Sequence, residues 1–154
     1  CQESRKLSEH IQALEEFLQV IICLKGEIRY GGSSLPDAFR ETAMHCSEGY
    51  VVFLKAVSEK MEKRQAEDPG RIIQQCAKKH LKEKALSAEE QERIAQLGER
   101  LGYLDREMQL RQLSLYEDEF ERMIQKAKEA APAKKKMYHS LGVFGGAMLA
   151  ILFW

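Results

Sequence analysis

Two pairs of cysteine and histidine are the residues whose types and spacing come nearest to a metal-binding or reactive site. Cys76 and His80 lie four residues apart in a segment of helical pattern, and His45 and Cys46 are neighbours elsewhere. A thiolate and an imidazole on each of two helices could supply a tetrahedral zinc site. Structural zinc sites usually have paired ligands at short spacing, however, and here two distant helices would have to meet. We therefore interpret Cys76 as a core cysteine and His80 as a surface histidine, and we predict no metal or cofactor.

Signatures of catalysis and nucleotide binding are missing from the sequence. It contains no phosphate-binding loop, no G-x-S-x-G elbow and no H-E-x-x-H zinc motif. An acidic run followed by basic residues is typical of a solvated helix face with i,i+4 ion pairs; it comprises Glu117, Asp118, Glu119, Glu121, Arg122 and Lys126. Basic and acidic residues balance at 24 each, and the lysine stretches lack interleaved aromatic residues. We predict that the protein is not an enzyme and binds neither nucleic acid nor a small-molecule substrate.

The apolar pattern of residues 1–131 predicts an all-α, antiparallel bundle of about six helices. Apolar residues recur in steps of three and four from Leu7 to Ile28, and the Gly31–Gly32 pair should end this first helix. Capping residues predict where most of the later helices begin; they are Ser34 with Pro36 and Asp37, Asp68 with Pro69 and Gly70, Ser87 with Glu90, and Asp105. The apolar run Tyr50–Leu54 could form a β-strand, but helical spacing through Met61 favours a helix, which we expect to be the most buried.

The C-terminal segment differs from the rest of the chain. Lys134, Lys135 and Lys136 precede eighteen residues, 137–154, that include no charged side chain. As a helix the segment would extend about 27 Å, close to the thickness of a bilayer core. We predict a transmembrane helix over 137–154, a basic juxtamembrane linker over 132–136 and a cytoplasmic bundle over 1–131; the alternative is a buried core helix.

Small residues recur every four positions in the predicted transmembrane helix, at Gly142, Gly146 and Ala150. This spacing is typical of close helix–helix packing in lipid, although glycine is also common in membrane helices in general. The four cysteines are far apart in the sequence, and we expect reduced thiols facing a cytoplasm. The chain opens on Cys1, and we expect an N-terminal hydrophobic segment upstream; a lipid-modified N-terminal cysteine is the alternative.

Three clusters of residues resemble one family. They are Gly26–Gly31 with Leu35–Ala38, then Leu97–Gly102 running into Asp105–Gln109, and finally Met137–Gly146. In this order and spacing they resemble the stage III sporulation protein AB family of endospore-forming bacteria. Ser34 stands where such members usually have proline, and Cys76 stands where we expect a bulky aromatic residue.

The resemblance implies a mother-cell membrane protein of the complex that connects mother cell and forespore. It also implies a likeness to the cytoplasmic helical domain of the type II secretion F-protein. By that analogy the partners would be the sporulation ATPase, similar to stage III sporulation protein AA, and the other membrane subunits of the channel. We expect a scaffold that couples the ATPase to the channel. The alternative is a tail-anchored adaptor or regulator without a transport role.

Two short stretches are candidates for contacts between helices or with a partner. Gly98 and Gly102 either allow another helix to cross closely or end their own helix. Asp105, Arg106 and Glu107 begin a helix whose N-terminal dipole favours the two acids, which leaves Arg106 able to pair with a neighbouring element or a partner. We predict partner binding at these three residues, and we expect Arg106→Glu to weaken assembly more than folding.

Overall fold

A computed structural model of the chain describes residues 2–32, 34–45, 49–64 and 67–130. Six helices and short connections account for these residues, and the described part of the chain contains no strand. The helices are α1 (Gln2–Tyr30), α2 (Leu35–His45), α3 (Val51–Lys63), α4 (Pro69–His80), α5 (Ala88–Tyr103) and α6 (Arg106–Ala130). The all-α prediction and the number of helices are confirmed.

The predicted transmembrane helix, its packing residues Gly142, Gly146 and Ala150, and the basic linker lie outside the described residues. Among the helices that are described, none is long and apolar enough to cross a bilayer. The transmembrane segment therefore stays a prediction from the sequence.

Local sequence signals set the helix ends. The Asp68 side chain accepts a hydrogen bond from Gly70 N–H at 3.1 Å, with Pro69 in the first turn of α4. At the start of α5 the Ser87 hydroxyl accepts from Glu90 N–H at 3.1 Å, and the Glu90 carboxylate accepts from Ser87 N–H at 2.7 Å. This reciprocal pair is the capping box that the sequence predicts.

The turn between α1 and α2 follows the prediction in position but differs in its bonding. Gly32 has a φ of 59°, a left-handed conformation that glycine adopts without strain after a helix. The Ser34 carbonyl accepts from Ala38 N–H at 2.9 Å and so begins α2. The Ser34 hydroxyl donates to the Asp37 carboxylate at 3.0 Å, a bond between side chains. Asp37 also pairs with Arg40 one turn later.

The helices pack in chain order, each against the next, and α6 returns to pack against α1. The two long helices run antiparallel, since Arg106 contacts the end of α1 while the Phe120 ring lies against Phe17 further back, with ring centroids 5.1 Å apart. Phe17 also meets Tyr50, the residue before α3, at 5.3 Å. A single apolar core lies between all six helices, because every helix contributes buried side chains to it.

The prediction for the run Tyr50–Leu54 is confirmed as helix, since α3 begins at Val51. Phe53 and Leu54 are buried, as expected, but Val52 is 67% exposed. The expectation that this helix is the most buried is not met, since five of its 13 residues are buried and α4 has five buried residues among 12. A continuous apolar run does not fix which of its members faces the core.

The two cysteines that the structure describes differ from one another. Cys76 is a free thiol with no exposed surface, as predicted for a core cysteine. Cys23, on α1, is disulfide-bonded, so the prediction of reduced thiols is wrong at this position. Spacing along the sequence could not show this bond, because a disulfide depends on the distance between two side chains after folding.

Candidate interaction site

Two of the three sequence clusters meet at one end of the bundle. The Arg106 Nε–H donates to the Ile28 carbonyl at 2.8 Å, and a terminal N–H of the same guanidinium donates to the Arg29 carbonyl. These carbonyls belong to the last turn of α1, where no further backbone N–H continues the helix. A cation also suits the negative end of the α1 dipole. Arg106 therefore caps the C-terminus of α1, and we call this part of the molecule the Arg106 end.

The neighbours of Arg106 in the sequence cap two further helices. The Asp105 carboxylate accepts from Met108 N–H at 2.9 Å and so caps α6 itself, as predicted. The Gln109 side-chain amide donates to the Leu101 carbonyl at 2.9 Å, in the last turn of α5. One stretch of five residues thus caps the start of one helix and the ends of two others.

The predicted partner-binding residues separate into two kinds. Asp105 and Arg106 are bonded within the chain, so part of their hydrogen-bonding capacity is already used. Glu107 is exposed and forms no ion pair with any described residue. Partner binding by the three residues stays a prediction. The geometry gives Asp105 the capping role that the sequence predicted, and it pairs Arg106 with a neighbouring helix, one of the two possibilities left open for it.

The sequence analysis missed two exposed side chains at the Arg106 end. Tyr30, the last residue of α1, is 82% exposed, and Met108, in the first turn of α6, is 40% exposed. The Arg29 guanidinium lies 6.0 Å from the centroid of the Tyr30 ring. The position of Tyr30 as the last residue of an amphipathic helix could have indicated its exposure. No further turn of the same helix packs over such a residue.

Glycines on α4 and α5 bring these two helices into close contact. A Cβ at Gly98 would overlap the Ile73 side chain, and one at Gly102 would overlap the backbone at Gly70. A Cβ at Gly70 would in turn lie 2.8 Å from the Glu99 carbonyl oxygen. Of the two interpretations of Gly98 and Gly102, the close crossing is confirmed, and α5 continues past Gly102 to Tyr103. Gly70 belongs to the same crossing, although the sequence suggested only a turn there.

Tyr50, the residue before α3, lies against the middle of α1, where its ring meets Phe17. The Tyr50 hydroxyl donates to the Ala13 carbonyl at 2.7 Å, and the Lys84 ammonium lies 4.7 Å from the centroid of the Tyr50 ring. Burial raises the pKa of Tyr50, and the nearby carboxylates of Glu16 and Glu90 raise it further. The phenol therefore stays neutral and acts as a fixed donor between α1 and the start of α3.

The acidic run on α6 pairs with other helices. Arg93 Nε–H of α5 donates to Glu119 at 2.8 Å, and a second N–H completes a two-pronged contact. Glu117 lies 3.8 Å from the Lys25 ammonium of α1. The hydrogen bond with Glu119 raises the pKa of Arg93, whose guanidinium also lies 4.7 Å from the centroid of the buried Tyr116 ring. The i,i+4 pairing predicted for this face is thus replaced, for Glu117 and Glu119, by contacts between helices.

Of the cysteines and histidines considered for metal binding, the structure describes His45, Cys76 and His80, and Cys46 lies outside the described residues. Burial raises the pKa of Cys76, although lysines and an arginine nearby oppose the shift, so the neutral thiol is favoured. The pKa of His80 is lowered by partial burial and by Lys79 and Lys60. Within the described ranges no group of three or more His, Cys, Asp or Glu residues could hold a metal ion.

The fold and its capped end define a class, an all-α bundle with six helices in the described part of the chain. The family model of stage III sporulation protein AB matches residues 1–154, and the chain belongs to that family. It is 26% identical to stage III sporulation protein AB of Bacillus subtilis (strain 168) over 145 residues, which is 94% of this chain and 84% of the relative. A solved structure of stage III sporulation protein AB (SpoIIIAB) matches with a TM-score of 0.71 at 24% identity, covering 80% of this chain and 97% of that one. The recognition made from the three clusters is therefore confirmed.

Proposed function

We propose that this protein is a non-enzymatic, membrane-anchored scaffold of the sporulation channel, and that its Arg106 end binds the sporulation ATPase. The polarity of the bundle is the observation that carries this proposal. Helix α6 has 25 residues and spans about 37 Å. It begins at the Arg106 end and finishes at the other, from which the chain continues towards Lys134–Lys136 and the predicted membrane segment. With that segment in the bilayer, the Arg106 end points into the cytoplasm.

The Arg106 end has the chemistry of a protein-binding surface. Tyr30 offers an exposed aromatic ring, Met108 an adaptable apolar side chain and Glu107 an unpaired charge. Tyrosine and methionine are enriched in interfaces between proteins, and a few such side chains carry most of the binding energy. The caps provided by residues 105–109 hold three helix ends together, so the surface is formed before a partner arrives and little ordering cost is added on binding.

The test measures binding of the full chain, reconstituted in nanodiscs, to the sporulation ATPase with and without nucleotide. Tyr30→Ala, Met108→Asp and Glu107→Lys alter the proposed surface without removing a cap. We expect each of the first two to weaken binding by about tenfold or more, as hot-spot residues do. Glu59→Lys, an exposed charge reversal on α3, is the matched control and should bind normally.

The same experiment separates the scaffold from an adaptor without a transport role. ATPase binding that is lost in the surface variants and kept in the control supports the scaffold. Wild-type chain that stays in the nanodisc, is folded by circular dichroism and binds no ATPase would contradict the scaffold and favour the adaptor.

A further inference from the structure

Cys23 of α1 is disulfide-bonded, so its partner is one of the other three cysteines of the chain. Cys76 is a free thiol with no exposed surface, which excludes it. Cys1 immediately precedes α1, a helix that is continuous from Gln2 to Tyr30. From Gln2 to Cys23 this helix rises about 32 Å, whereas the two Cα atoms of a disulfide lie within about 7 Å of each other. A bond between Cys23 and Cys1 is therefore excluded by distance.

Cys46 is the cysteine that remains, and the path of the chain agrees with this pairing. It follows His45, the last residue of α2, and lies outside the described residues. Helices α1 and α2 pack against each other and are joined by the turn at 31–34, so the chain reverses between them. Cys23 lies about 10 Å of helix before the end of α1, and His45 lies about 15 Å beyond the start of α2. The end of α2 thus returns to within about one helical turn of the level of Cys23.

Several features suit this bond to reversible exchange with small thiols. The side chain of Cys23 is only half-buried, so a small thiol can reach its sulfur. All six helices supply buried side chains to one core, so the fold does not depend on a cross-link as small secreted domains do. In a cytoplasm, where the proposed function places the bundle, thiols are kept reduced and a disulfide is usually transient.

The segment between the two cysteines includes part of the Arg106 end. It contains the last turn of α1, whose carbonyls accept hydrogen bonds from Arg106, and the exposed Tyr30. Arg106 holds this turn from the side of α6 by hydrogen bonds. A bond between Cys23 and Cys46 holds the same segment from the side of α2 by a covalent cross-link. The order of the Arg106 end therefore depends on whether the cross-link is present.

We propose that Cys23 and Cys46 form a reversible thiol–disulfide pair that sets the order of the Arg106 end. Two molecules of a low-molecular-weight thiol reduce the pair. The thiolate of the first attacks one sulfur, the S–S bond breaks, and the released cysteine thiolate takes up a proton. The second attacks the mixed disulfide, frees the other cysteine and leaves as a low-molecular-weight disulfide. Two electrons thus pass from the small thiols to the pair, and the small disulfide reverses both steps. The reversibility rests on the cytoplasmic placement in the proposed function.

The first measurement identifies the pair in the full chain, reconstituted in nanodiscs and equilibrated with glutathione disulfide. Free thiols are blocked with N-ethylmaleimide under denaturing conditions before digestion with trypsin and mass spectrometry. Trypsin places the two cysteines in separate peptides, 7–25 and 41–55. We expect these peptides to be joined by a bond that dithiothreitol breaks, with the other two cysteines alkylated. Cys46 that is not joined to Cys23 overturns the pairing.

The second measurement tests whether the pair is reversible. The oxidised chain is transferred to excess reduced glutathione and then returned to glutathione disulfide, and thiols are counted with the maleimide after each step. We expect two thiols to appear and then to disappear again. A bond that persists in reduced glutathione is structural, and a pair that does not re-form is not a redox couple; either result overturns the reversibility.

The third measurement follows the effect on the fold. Reduction should lower the thermal midpoint by roughly 5–10 °C, because it opens a closed loop of the chain. Amide exchange should become faster at the end of α1 and in α2 than at the crossing of α4 and α5. Cys46→Ser should match the reduced wild type in both glutathione buffers. Cys1→Ser is the matched control and should keep the full difference between the buffers.

The outcomes separate this inference from the proposed function. Equal midpoints and equal exchange of the oxidised and reduced wild-type chain overturn control of the Arg106 end, whether or not Cys46→Ser folds. A chain whose midpoint and exchange differ between the two states supports the thiol–disulfide pair even if it binds no ATPase. ATPase binding is measured separately, so a failure of the scaffold is distinguishable from a failure of the pair.

Discussion

The Arg106 guanidinium donates to the carbonyl of Ile28, which lies 78 residues earlier in the chain, over a distance of 2.8 Å. This bond fixes the start of α6 against the end of α1 and closes the bundle, since α1 and α6 are its first and last helices. The sequence left two possibilities for this residue, pairing with a neighbouring element or with a partner, and the bond to α1 is the first of them. Its main role in the structure is to stabilise the fold.

Loss of the Arg106 cap should destabilise the protein. Arg106→Ala removes two charge-assisted bonds to helix-end carbonyls and should lower the free energy of unfolding by about 1.5–3 kcal/mol. Arg106→Glu should cost at least as much, because a carboxylate would face two carbonyl oxygens. Urea denaturation of both variants measures the change. Arg111→Ala, an exposed arginine five residues further along α6, should leave stability within about 0.5 kcal/mol of wild type; equal effects at the two positions would contradict the capping role.

The glycine crossing between α4 and α5 can be tested with a pair of identical substitutions. Gly98→Ala introduces a Cβ that overlaps the buried Ile73, and we expect it to lower the thermal midpoint and cost about 1–3 kcal/mol. Gly26→Ala places the same methyl group in open space inside α1 and should stabilise the protein by about 0.5–1 kcal/mol. Ile73→Ala combined with Gly98→Ala should cost less than the sum of the two single changes, if the overlap is the cause.

The raised pKa of Tyr50 predicts a specific sensitivity to alkali. The unfolded chain ionises its tyrosines near pH 10, while the folded protein keeps Tyr50 neutral to higher pH. Its contribution to stability is therefore present below about pH 10 and is lost as the pH rises above that value. Tyr50→Phe should be about 1 kcal/mol less stable at neutral pH, because the bond to Ala13 is lost. Above pH 10 it should lose stability less steeply than wild type in denaturation curves. Burial also raises the pKa of Tyr116 and of Cys76, and these two groups contribute to the slope that remains.

The capping box of α5 also joins α5 to α1, because the carboxylate of Glu90 contacts the His10 ring at 2.8 Å. Ser87→Ala should cost about 0.5–2 kcal/mol through loss of the cap alone. Glu90→Ala should cost more, since it removes both the cap and the contact with α1. A double-mutant cycle of Glu90→Ala with His10→Ala isolates the second contribution; a coupling energy of zero would show that the His10 contact adds nothing to stability.

Much of the local structure could be predicted from the sequence. Asp68, Ser87 and Asp105 begin their helices where the capping rules place them, because a cap depends on a side chain and backbone groups two or three residues away. The end of α1 was also predictable from local sequence. Glycine has no Cβ and so adopts the positive φ that is found at Gly32 without strain. The family was also recognisable, because its clusters are short and occur in a fixed order.

The candidate site was predictable only in part. The sequence indicated that residues 105–107 matter, but the partners of Arg106 and Gln109 are carbonyls on other helices. Every residue type has a backbone carbonyl, so the sequence does not indicate which carbonyl accepts such a bond. The pairing of Glu119 with Arg93, 26 residues away, was missed because i,i+4 neighbours on the same helix satisfied the pattern equally well.

The sequence by itself determined the helices, their limits and their apolar faces, since these follow from interactions within a few residues. Tertiary structure decided which helix ends meet, which glycines permit a close crossing and which apolar residues, such as Met44 and Val52, are left exposed. Those outcomes depend on side-chain shapes and distances between segments far apart in the chain, and they are set only when all six helices pack around one core.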